Sequence, residues 1–184
     1  MNTEQRIIKA FKEMCYNQGF YAIRMEELAE RAGVSRRTIY LYFKSKEDLV
    51  DRTVHTFLME FPDRLNMIVN ESDLVTALAK GMEALVKQGA FLLTDQCIRD
   101  LQTHYPVSWQ KLETYRQSQV SSIVDILLER SEKQWVKELD PNFIREAIMA
   151  IDRRCANVEF ANQMGMSIKD LTLQFAKFIV NPFI

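Results

Sequence analysis

Glycine and proline are scarce in this sequence. Its 184 residues include only 5 Gly and 4 Pro, and they contain neither Asn-Gly nor Asp-Gly, the dipeptides that most often close a tight β-hairpin. Leucine, alanine, methionine, glutamate, lysine and glutamine, which favour helices, are abundant. The sequence therefore predicts an all-α protein with about nine helices in total.

Long apolar runs and an even set of cysteines are also missing. The longest uninterrupted apolar runs, residues 39–43 and 147–151, are five residues long, whereas a membrane-spanning helix needs roughly 18. Cys15, Cys97 and Cys155 are widely spaced and odd in number, which favours reduced thiols over a disulfide framework. With no leader pattern at the N-terminus, we expect a cytoplasmic protein that does not associate with a membrane.

Signatures of catalysis and of metal binding are absent too. His55 and His104 lie on different predicted helices, and neither has Cys, Asp or Glu partners at a metal-ligand spacing. The five glycines are too scattered for a phosphate-binding loop, and residues 165–169 lack the last glycine of a nucleophile elbow. We therefore expect no enzyme, no metal ion and no cofactor.

The overall charge excludes a globally basic nucleic-acid coat. The chain carries 24 basic and 25 acidic side chains, a net charge of -1. Residues 1–48 nevertheless hold nine basic and seven acidic side chains, a net charge of +2. The excess is small, so its meaning depends on where the basic side chains lie.

Helical periodicity divides the chain into two predicted domains, residues 1–48 and 49–184. The first contains helices at about 3–17, 25–32 and 36–42, and a fourth helix begins after Ser45, which opens a capping box. The fourth helix is expected to join the two domains rigidly. Further helices are predicted near residues 73–88, 91–104, 107–137, 142–162 and 168–180.

The segment from residue 25 to about residue 44 meets the physical requirements of a helix-turn-helix. Two short helices must cross closely at one small residue and then turn sharply. Ala29 is the small residue, and Gly33 stands where the turn needs a left-handed backbone. The shared core is predicted to consist of Leu28, Ala32, Val34, Ile39 and Phe43.

The third predicted helix then exposes a basic and hydroxylated face. It consists of Arg36, Arg37, Thr38 and the phenols of Tyr40 and Tyr42, with Leu41 among them. Guanidinium groups donate to phosphates and guanine edges, and threonine contacts thymine or adenine, so the face suits a DNA major groove. The plainer alternatives are a solvated charged face for the arginines and half-buried packing for the tyrosines.

A dense set of residues within 5–50 connects this motif to a known family. Ala29 to Ser35 reads AERAGVS, Thr38 to Leu49 reads TIYLYFKSKEDL, and a helix ending at Gly19 precedes them. The segment resembles the DNA-binding domain of the TetR family of bacterial transcriptional regulators. The resemblance implies a homodimer whose paired third helices enter successive major grooves of a pseudo-palindromic operator, about 34–36 Å apart. It also implies a larger helical C-terminal domain for ligand binding and dimerisation.

The resemblance assigns DNA contacts residue by residue. The start of the third helix would approach base edges or nearby phosphates, and the tyrosines and lysines that follow would bind phosphates. Family members commonly carry Thr or Ser just before the second helix, where this chain has Arg24, which would reach a phosphate instead. The predicted DNA-binding residues are Arg24, Arg36, Arg37, Thr38, Tyr40, Tyr42, Lys44 and Lys46.

The C-terminal region is rich in methionine and aromatic residues, which suggests a pocket for a flat or greasy ligand. At helical spacing such residues more often form core, and this alternative stays open. The predicted pocket residues are Phe57, Phe61, Met82, Phe91, Trp109 and Tyr115.

The last two predicted helices are apolar on more than one side, which exceeds what a single core-facing stripe requires. The resemblance implies that these helices pair as a four-helix bundle in a homodimer. The alternative is that they are buried inside a monomer. The predicted interface residues are Ile148, Ile151, Cys155, Val158, Leu171, Phe175 and Phe178.

The predicted function is a transcriptional regulator of the repressor type, which binds its operator as a homodimer and is released by an unidentified small-molecule ligand. One alternative replaces the small molecule by a protein partner. A more distant alternative is an all-helical enzyme or carrier in which the basic helix is incidental.

Overall fold

The chain folds into helices. A computed structural model describes residues 2–60 and 89–183. Within those ranges it contains ten α-helices and no strand, which confirms the all-α prediction. The helix predicted near 73–88 lies outside the described residues. The helices are α1 Thr3–Gln18, α2 Met25–Ala32, α3 Arg36–Tyr42, α4 Lys46–Glu60, α5 Asp95–His104, α6 Pro106–Arg130, α7 Gln134–Glu138, α8 Pro141–Cys155, α9 Val158–Gln163 and α10 Ile168–Val180, followed by a 3-10 helix, Asn181–Phe183.

Side-chain caps define the starts of α3 and α4, the second of them at the predicted residue Ser45. α2 and α3 begin and end at the expected residues. The Ser35 hydroxyl accepts the Thr38 N–H at 3.0 Å at the start of α3. The Ser45 hydroxyl accepts the Asp48 N–H at 3.2 Å at the start of α4. Each cap pairs an amide that has no partner within its own helix, which fixes the starting point of that helix.

The helix predicted at 107–137 is interrupted, because α6 ends at Arg130 and α7 begins at Gln134. At the break, the Ser131 hydroxyl donates to the Phe183 carbonyl at 2.9 Å and accepts the Lys133 N–H at 3.3 Å. A side chain that bonds to nearby backbone in this way competes with helical hydrogen bonds. Its partner Phe183 is distant in sequence, so periodicity alone did not reveal the break.

Two other predicted helices differ from the structure for a similar local reason. The helix predicted at 142–162 is divided into α8 and α9, because the Asn157 side chain accepts the Phe160 N–H at 2.8 Å and starts a new helix. The helix predicted at 91–104 begins later, after Thr94, whose hydroxyl accepts the Cys97 N–H at 3.2 Å. These breaks explain why the described residues alone contain ten helices where about nine were expected for the whole chain.

The described residues form two compact units. The first contains residues 2–60 and 89–112, and the second contains residues 113–183, so that α6 begins in one and ends in the other. The domain proposed as residues 1–48 lies within the first unit. That unit also contains α4 and residues 89–112.

Phe20 lies at the centre of the first unit and explains its extent. Its ring, fully buried, lies 5.8 Å from the ring of Phe11 on α1 and 6.3 Å from the rings of Phe91 and Tyr105. Phe57 of α4 packs edge-on against Phe91, with ring centroids 6.1 Å apart. Aromatic rings at these distances and tilts pack favourably. Residues from α4 and from 91–105 are therefore needed to cover the helices of the first 48 residues.

The second unit has its own apolar core, which joins α6, α7, α8 and α10 to the C-terminal 3-10 helix. A core shared by four helices accounts for the compactness of this unit without a metal or a disulfide. Its buried members are Val124, Leu127, Val136, Ile144, Ile148, Phe175, Ile179, Val180 and Phe183.

The three cysteines are free. Cys15 and Cys97 are buried side by side, and the Cys97 thiol donates to the Cys15 carbonyl at 3.2 Å. Burial raises the pKa of Cys15 and raises that of Cys97 to about 12. The thiolate is the reactive form of cysteine, so these two residues act as core side chains rather than as nucleophiles.

None of the helices in residues 2–60 and 89–183 is long and apolar enough to cross a membrane.

Gly19 and Gly33 both adopt positive φ angles, but their surroundings differ. Gly19 ends α1 with φ 77° and ψ 179°, a conformation that is essentially restricted to glycine. A Cβ atom at this position would lie 2.4 Å from the Asp100 carboxylate. Gly33 ends α2 in the left-handed helical region, and a Cβ atom there would meet nothing within 4 Å.

We expect Gly19→Ala to lower the free energy of unfolding by about 2–5 kcal/mol, because backbone strain and steric overlap with Asp100 both contribute. The matched variant Gly33→Ala should cost only about 1–2 kcal/mol, since it carries backbone strain alone. Urea unfolding followed by circular dichroism measures both values. A loss for Gly19→Ala no greater than that for Gly33→Ala would contradict this account.

Candidate DNA-binding site

The helix-turn-helix of α2 and α3 has a tightly packed interior. Leu28, Ile39 and Phe43 are fully buried, and Ala29 is 6% exposed. Val34 is half-buried, and its N–H donates to the Ala29 carbonyl at 2.9 Å across the turn. This bond and the left-handed backbone at Gly33 fix the direction in which α3 leaves α2.

The outer face of α3 follows from its single fully buried residue, Ile39. Because successive helical residues rotate by about 100°, Arg37 and Leu41 each lie about 160° around the axis from Ile39. Both are exposed, Leu41 to 76%. The Thr38 hydroxyl is half-buried beside them and shares a 2.8 Å hydrogen bond with the hydroxyl of Ser35. Arg37 and Leu41 therefore occupy the part of the helix farthest from the protein core.

The remaining predicted residues of α3 lie on its flanks. Tyr40 and Tyr42 are 44% and 40% exposed. Arg36 forms an ion pair with Glu26 of α2 at 2.5 Å. Exposed ion pairs of this kind stabilise proteins by no more than about 1 kcal/mol. A phosphate group is therefore able to replace Glu26 as the partner of Arg36 at little cost.

Arg24 and Lys44 are exposed near the ends of the motif. Arg24 precedes α2 and makes no side-chain cap, which fits the absence of a hydroxyl at this position. The backbone N–H of Lys44 donates to the Asp48 carboxylate at 2.8 Å, while the Lys44 side chain is exposed to solvent.

Lys46 has a structural role that the sequence did not indicate. Its Nζ atom donates to the carbonyls of Tyr21 and Ile23, at 2.6 Å each, and lies 5.7 Å from the centre of the Tyr21 ring. Burial lowers the pKa of Lys46. The ammonium group therefore holds the loop between α1 and α2 against the start of α4.

The same loop is held from α5 by a buried carboxylate. Asp100, 3% exposed, accepts the Tyr21 N–H at 2.8 Å and the Gln96 side-chain N–H at 2.7 Å. The Tyr21 ring stacks on His104, with centroids 3.8 Å apart. Asp100 was not predicted from the sequence, because its contact spans 79 residues and its only signal was an acid within an apolar stripe. The loop that leads into α2 is thus fixed by side chains from α4 and α5.

The structure distributes the predicted pocket residues over both units. Phe57 and Phe91 are buried against each other in the aromatic cluster of the first unit. Trp109 is half-buried in the first unit, and Tyr115 is half-buried in the second. The two other predicted residues, at positions 61 and 82, lie outside the described residues. Protein side chains thus account for the burial of Phe57 and Phe91.

The predicted interface residues divide into inward and outward sets. Phe178 on α10 and Ile151 on α8 are 57% and 38% exposed. Phe143, which the prediction did not include, is 63% exposed on α8. Cys155 is half-buried. The inward set, whose members pack within their own protomer, consists of Ile148, Val158, Leu171 and Phe175.

A group of partly buried charges joins α6 to α8 in the second unit. Arg116 donates to the Glu113 carboxylate at 3.0 and 2.6 Å and forms an ion pair with Asp152. Burial raises the pKa of Asp152, which is 3% exposed. The guanidinium group therefore already has two carboxylate partners within the protein.

The segment that contains the helix-turn-helix matches a known protein family. Residues 7–53, which include α2, α3 and the start of α4, match the bacterial regulatory proteins of the tetR family. The chain is also similar to an uncharacterised HTH-type transcriptional regulator, YvaF, of Bacillus subtilis (strain 168). The identity is 26% over 152 residues, which covers 82% of this chain and 80% of that protein.

Solved structures share the fold over nearly the whole chain. A TetR transcriptional regulator from Legionella pneumophila is similar with a TM-score of 0.67 and 17% identity, over 100% of this chain and 98% of that one. The transcriptional regulator FadR from Bacillus subtilis, in complex with stearoyl-CoA, is similar with a TM-score of 0.63 and 18% identity, over 96% and 97% of the two chains. The family match thus covers the helix-turn-helix of α2 and α3, and the solved structures show that the chain shares the fold of TetR-family regulators.

Proposed function

We propose that the protein is a repressor that binds a pseudo-palindromic operator as a homodimer and leaves it when a small molecule binds the C-terminal region. The observation that carries this proposal is the outer face of α3. It presents basic, hydroxyl and apolar groups on a short helix whose orientation is fixed by a buried residue, Ile39, and by the Ser35 cap. A rigid helix with such a face fits a major groove.

Within this proposal, the position of each residue on α3 determines whether it would enter the major groove or bind a phosphate. Arg37 lies on the face farthest from the core and would enter the groove, with Thr38 beside it. Arg36, Tyr40 and Tyr42 lie on the flanks and would bind phosphates at the groove edges. Phosphate contacts orient the protein on the duplex, whereas contacts to base edges carry sequence information.

Three further basic residues, Arg24, Lys44 and Lys46, complete the proposed phosphate contacts. Arg24 and Lys44 are exposed on either side of the motif. Lys46 has three N–H donors, and the carbonyls of Tyr21 and Ile23 accept two of them. The third is available to a phosphate, so Lys46 would join the loop of the protein to the DNA backbone.

For the homodimer we propose that α8 and α10 of one protomer pack against the same helices of its partner. Phe143, Ile151 and Phe178 give these helices exposed apolar area that a single protomer does not cover. A two-fold interface lets one such patch pair with its copy. The inward set of predicted interface residues would pack within each protomer and hold these exposed side chains in position.

For the ligand we propose a long-chain acyl thioester, because the similar FadR of Bacillus subtilis was solved with stearoyl-CoA. The Arg116 guanidinium is already paired with Glu113 and Asp152. In the second unit we therefore expect the acyl chain of the ligand, rather than an acidic group of the ligand, to supply most of its binding energy. Release requires that the ligand bind the DNA-incompetent state more tightly than the competent one.

A structural change caused by the ligand would reach α2 and α3 through α4 and α5. Lys46 at the start of α4 and Asp100 on α5 both bind the backbone of the loop before α2. A shift of either helix would therefore move that loop and, with it, the orientation of α2 and α3.

Lys46→Ala and Lys44→Ala separate the two roles proposed for Lys46. Both variants should lower the slope of log affinity against log salt by about one per protomer, because each removes a phosphate contact. Only Lys46→Ala should also lower the free energy of unfolding, by about 1–3 kcal/mol, since two carbonyls lose a charged donor. An unchanged salt slope for Lys46→Ala would exclude the phosphate contact, and unchanged stability would exclude the structural role.

Replacing both Phe143 and Phe178 with Glu should convert the dimer into a monomer, because four carboxylates would enter one symmetric apolar interface. Sedimentation velocity at several concentrations measures the change. Met164→Glu is the matched control, since Met164 is 52% exposed in the same unit but lies outside α8 and α10. A monomeric unsubstituted protein, or a dimer that survives the double substitution, would refute the proposed interface.

Selection of duplexes from a random pool, followed by fluorescence anisotropy, tests the function as a whole. We expect selective binding with a steep salt dependence, and at least a tenfold loss of affinity when stearoyl-CoA is added at saturation. Coenzyme A and stearate are the matched controls. Absence of any selected sequence would refute the regulatory site, whereas selective binding that stearoyl-CoA leaves unchanged would refute the ligand class and favour a protein partner.

A further inference from the structure

Leu41 has an unusual exposure for an apolar residue. Among the large apolar side chains in residues 2–60 and 89–183, it has the highest exposed fraction, 76%. It lies on α3, where Ile39 is the buried residue, and it shares the outermost face with Arg37. An isolated exposed leucine is ordinary on a protein surface, but this one lies at the centre of the surface proposed to meet DNA.

The chemistry of Leu41 limits what it is able to contact. Arg37, Thr38 and Tyr40 around it carry hydrogen-bond donors that suit phosphates and base edges. Leu41 has neither a donor nor an acceptor, so it gains nothing from a phosphate. In the major groove, the apolar feature that distinguishes one base from the others is the 5-methyl group of thymine.

The position of Leu41 is also well defined. The Ser35 hydroxyl caps α3 through the Thr38 N–H at 3.0 Å, and Ile39 is fully buried below it. In a helix, a leucine side chain is directed toward the preceding turn, which here brings it toward Arg37. The two side chains therefore form one surface, apolar at one end and cationic at the other, that faces away from the protein.

We propose that Leu41 is a specificity-determining residue that packs against the 5-methyl group of a thymine, close to the DNA group that Arg37 contacts. This inference rests on the proposed DNA-binding role of α3. It assigns to the operator at least one thymine in each half-site whose methyl group, rather than its hydrogen-bonding groups, is recognised.

Replacement of thymine by deoxyuridine removes only the methyl group and so tests this contact directly. The probe is a duplex that the unsubstituted protein selects from a random pool, with each thymine replaced in turn. We expect one replacement in each half-site to weaken binding about fourfold, the effect of one buried methyl-sized group. In Leu41→Ala the same replacement should leave the affinity almost unchanged. Such a result would show that Leu41 and the methyl group interact.

Two variants serve as controls. Leu41→Met preserves an apolar side chain of similar size and should retain most of the discrimination. Val107→Ala shortens another exposed apolar residue, 65% exposed on α6 in the same unit, and should behave like the unsubstituted protein. Circular dichroism and urea unfolding should show that all three variants are folded, since Leu41 and Val107 contribute little to the core.

The possible outcomes separate this inference from the function on which it rests. If the unsubstituted protein selects no sequence, the proposed DNA-binding function fails, and the role of Leu41 fails with it. If it selects a sequence but no deoxyuridine replacement weakens binding, the role of Leu41 alone is refuted. The same conclusion follows if Leu41→Ala discriminates thymine from deoxyuridine as strongly as the unsubstituted protein does.

Discussion

The burial of Phe20 at the start of a short loop is the constraint on which the first unit depends. The chain must leave α1, place this ring in the core and begin α2 at residue 25, and Gly19 makes the turn possible because no side chain fits beside Asp100. Asp100 and Lys46 then satisfy the backbone of the loop from two other helices. Fixing these few residues fixes the orientation of α2, and through the turn at Gly33 that of α3.

This construction connects stability to DNA recognition. The residues that hold the loop lie on α4 and α5, and the rings of Phe91 and Tyr105, which pack against Phe20, lie just before and just after α5. The reading surface on α3 itself makes few contacts, since only Ile39 is fully buried. A helix with one fully buried side chain exposes most of its circumference to a ligand as large as DNA. Its precise direction is consequently a property of the helices behind it, and that is where the proposed ligand would act.

Much of the fold was predictable where the causes are local. The bounds of α2 and α3, the caps at Ser35 and Ser45 and the cap at Asp140 before α8 follow from residues within one turn of each other. The predicted helix ends were wrong where a polar side chain interrupts an apolar stripe that continues on both sides. Ser131 ends α6 through a bond to Phe183, a partner that no local pattern identifies.

The amino-acid sequence by itself determined the helical fold, the helix-turn-helix and the residues on the exposed face of α3, because periodicity, caps and a turn glycine act over a few neighbouring residues. The tertiary structure alone decided which charges are free and which apolar faces are covered. It paired Arg36 with Glu26, directed Lys46 to backbone carbonyls and turned Phe175 inward while Phe178 faces outward. These outcomes depend on contacts between residues distant in sequence, and such contacts exist only once the helices have packed.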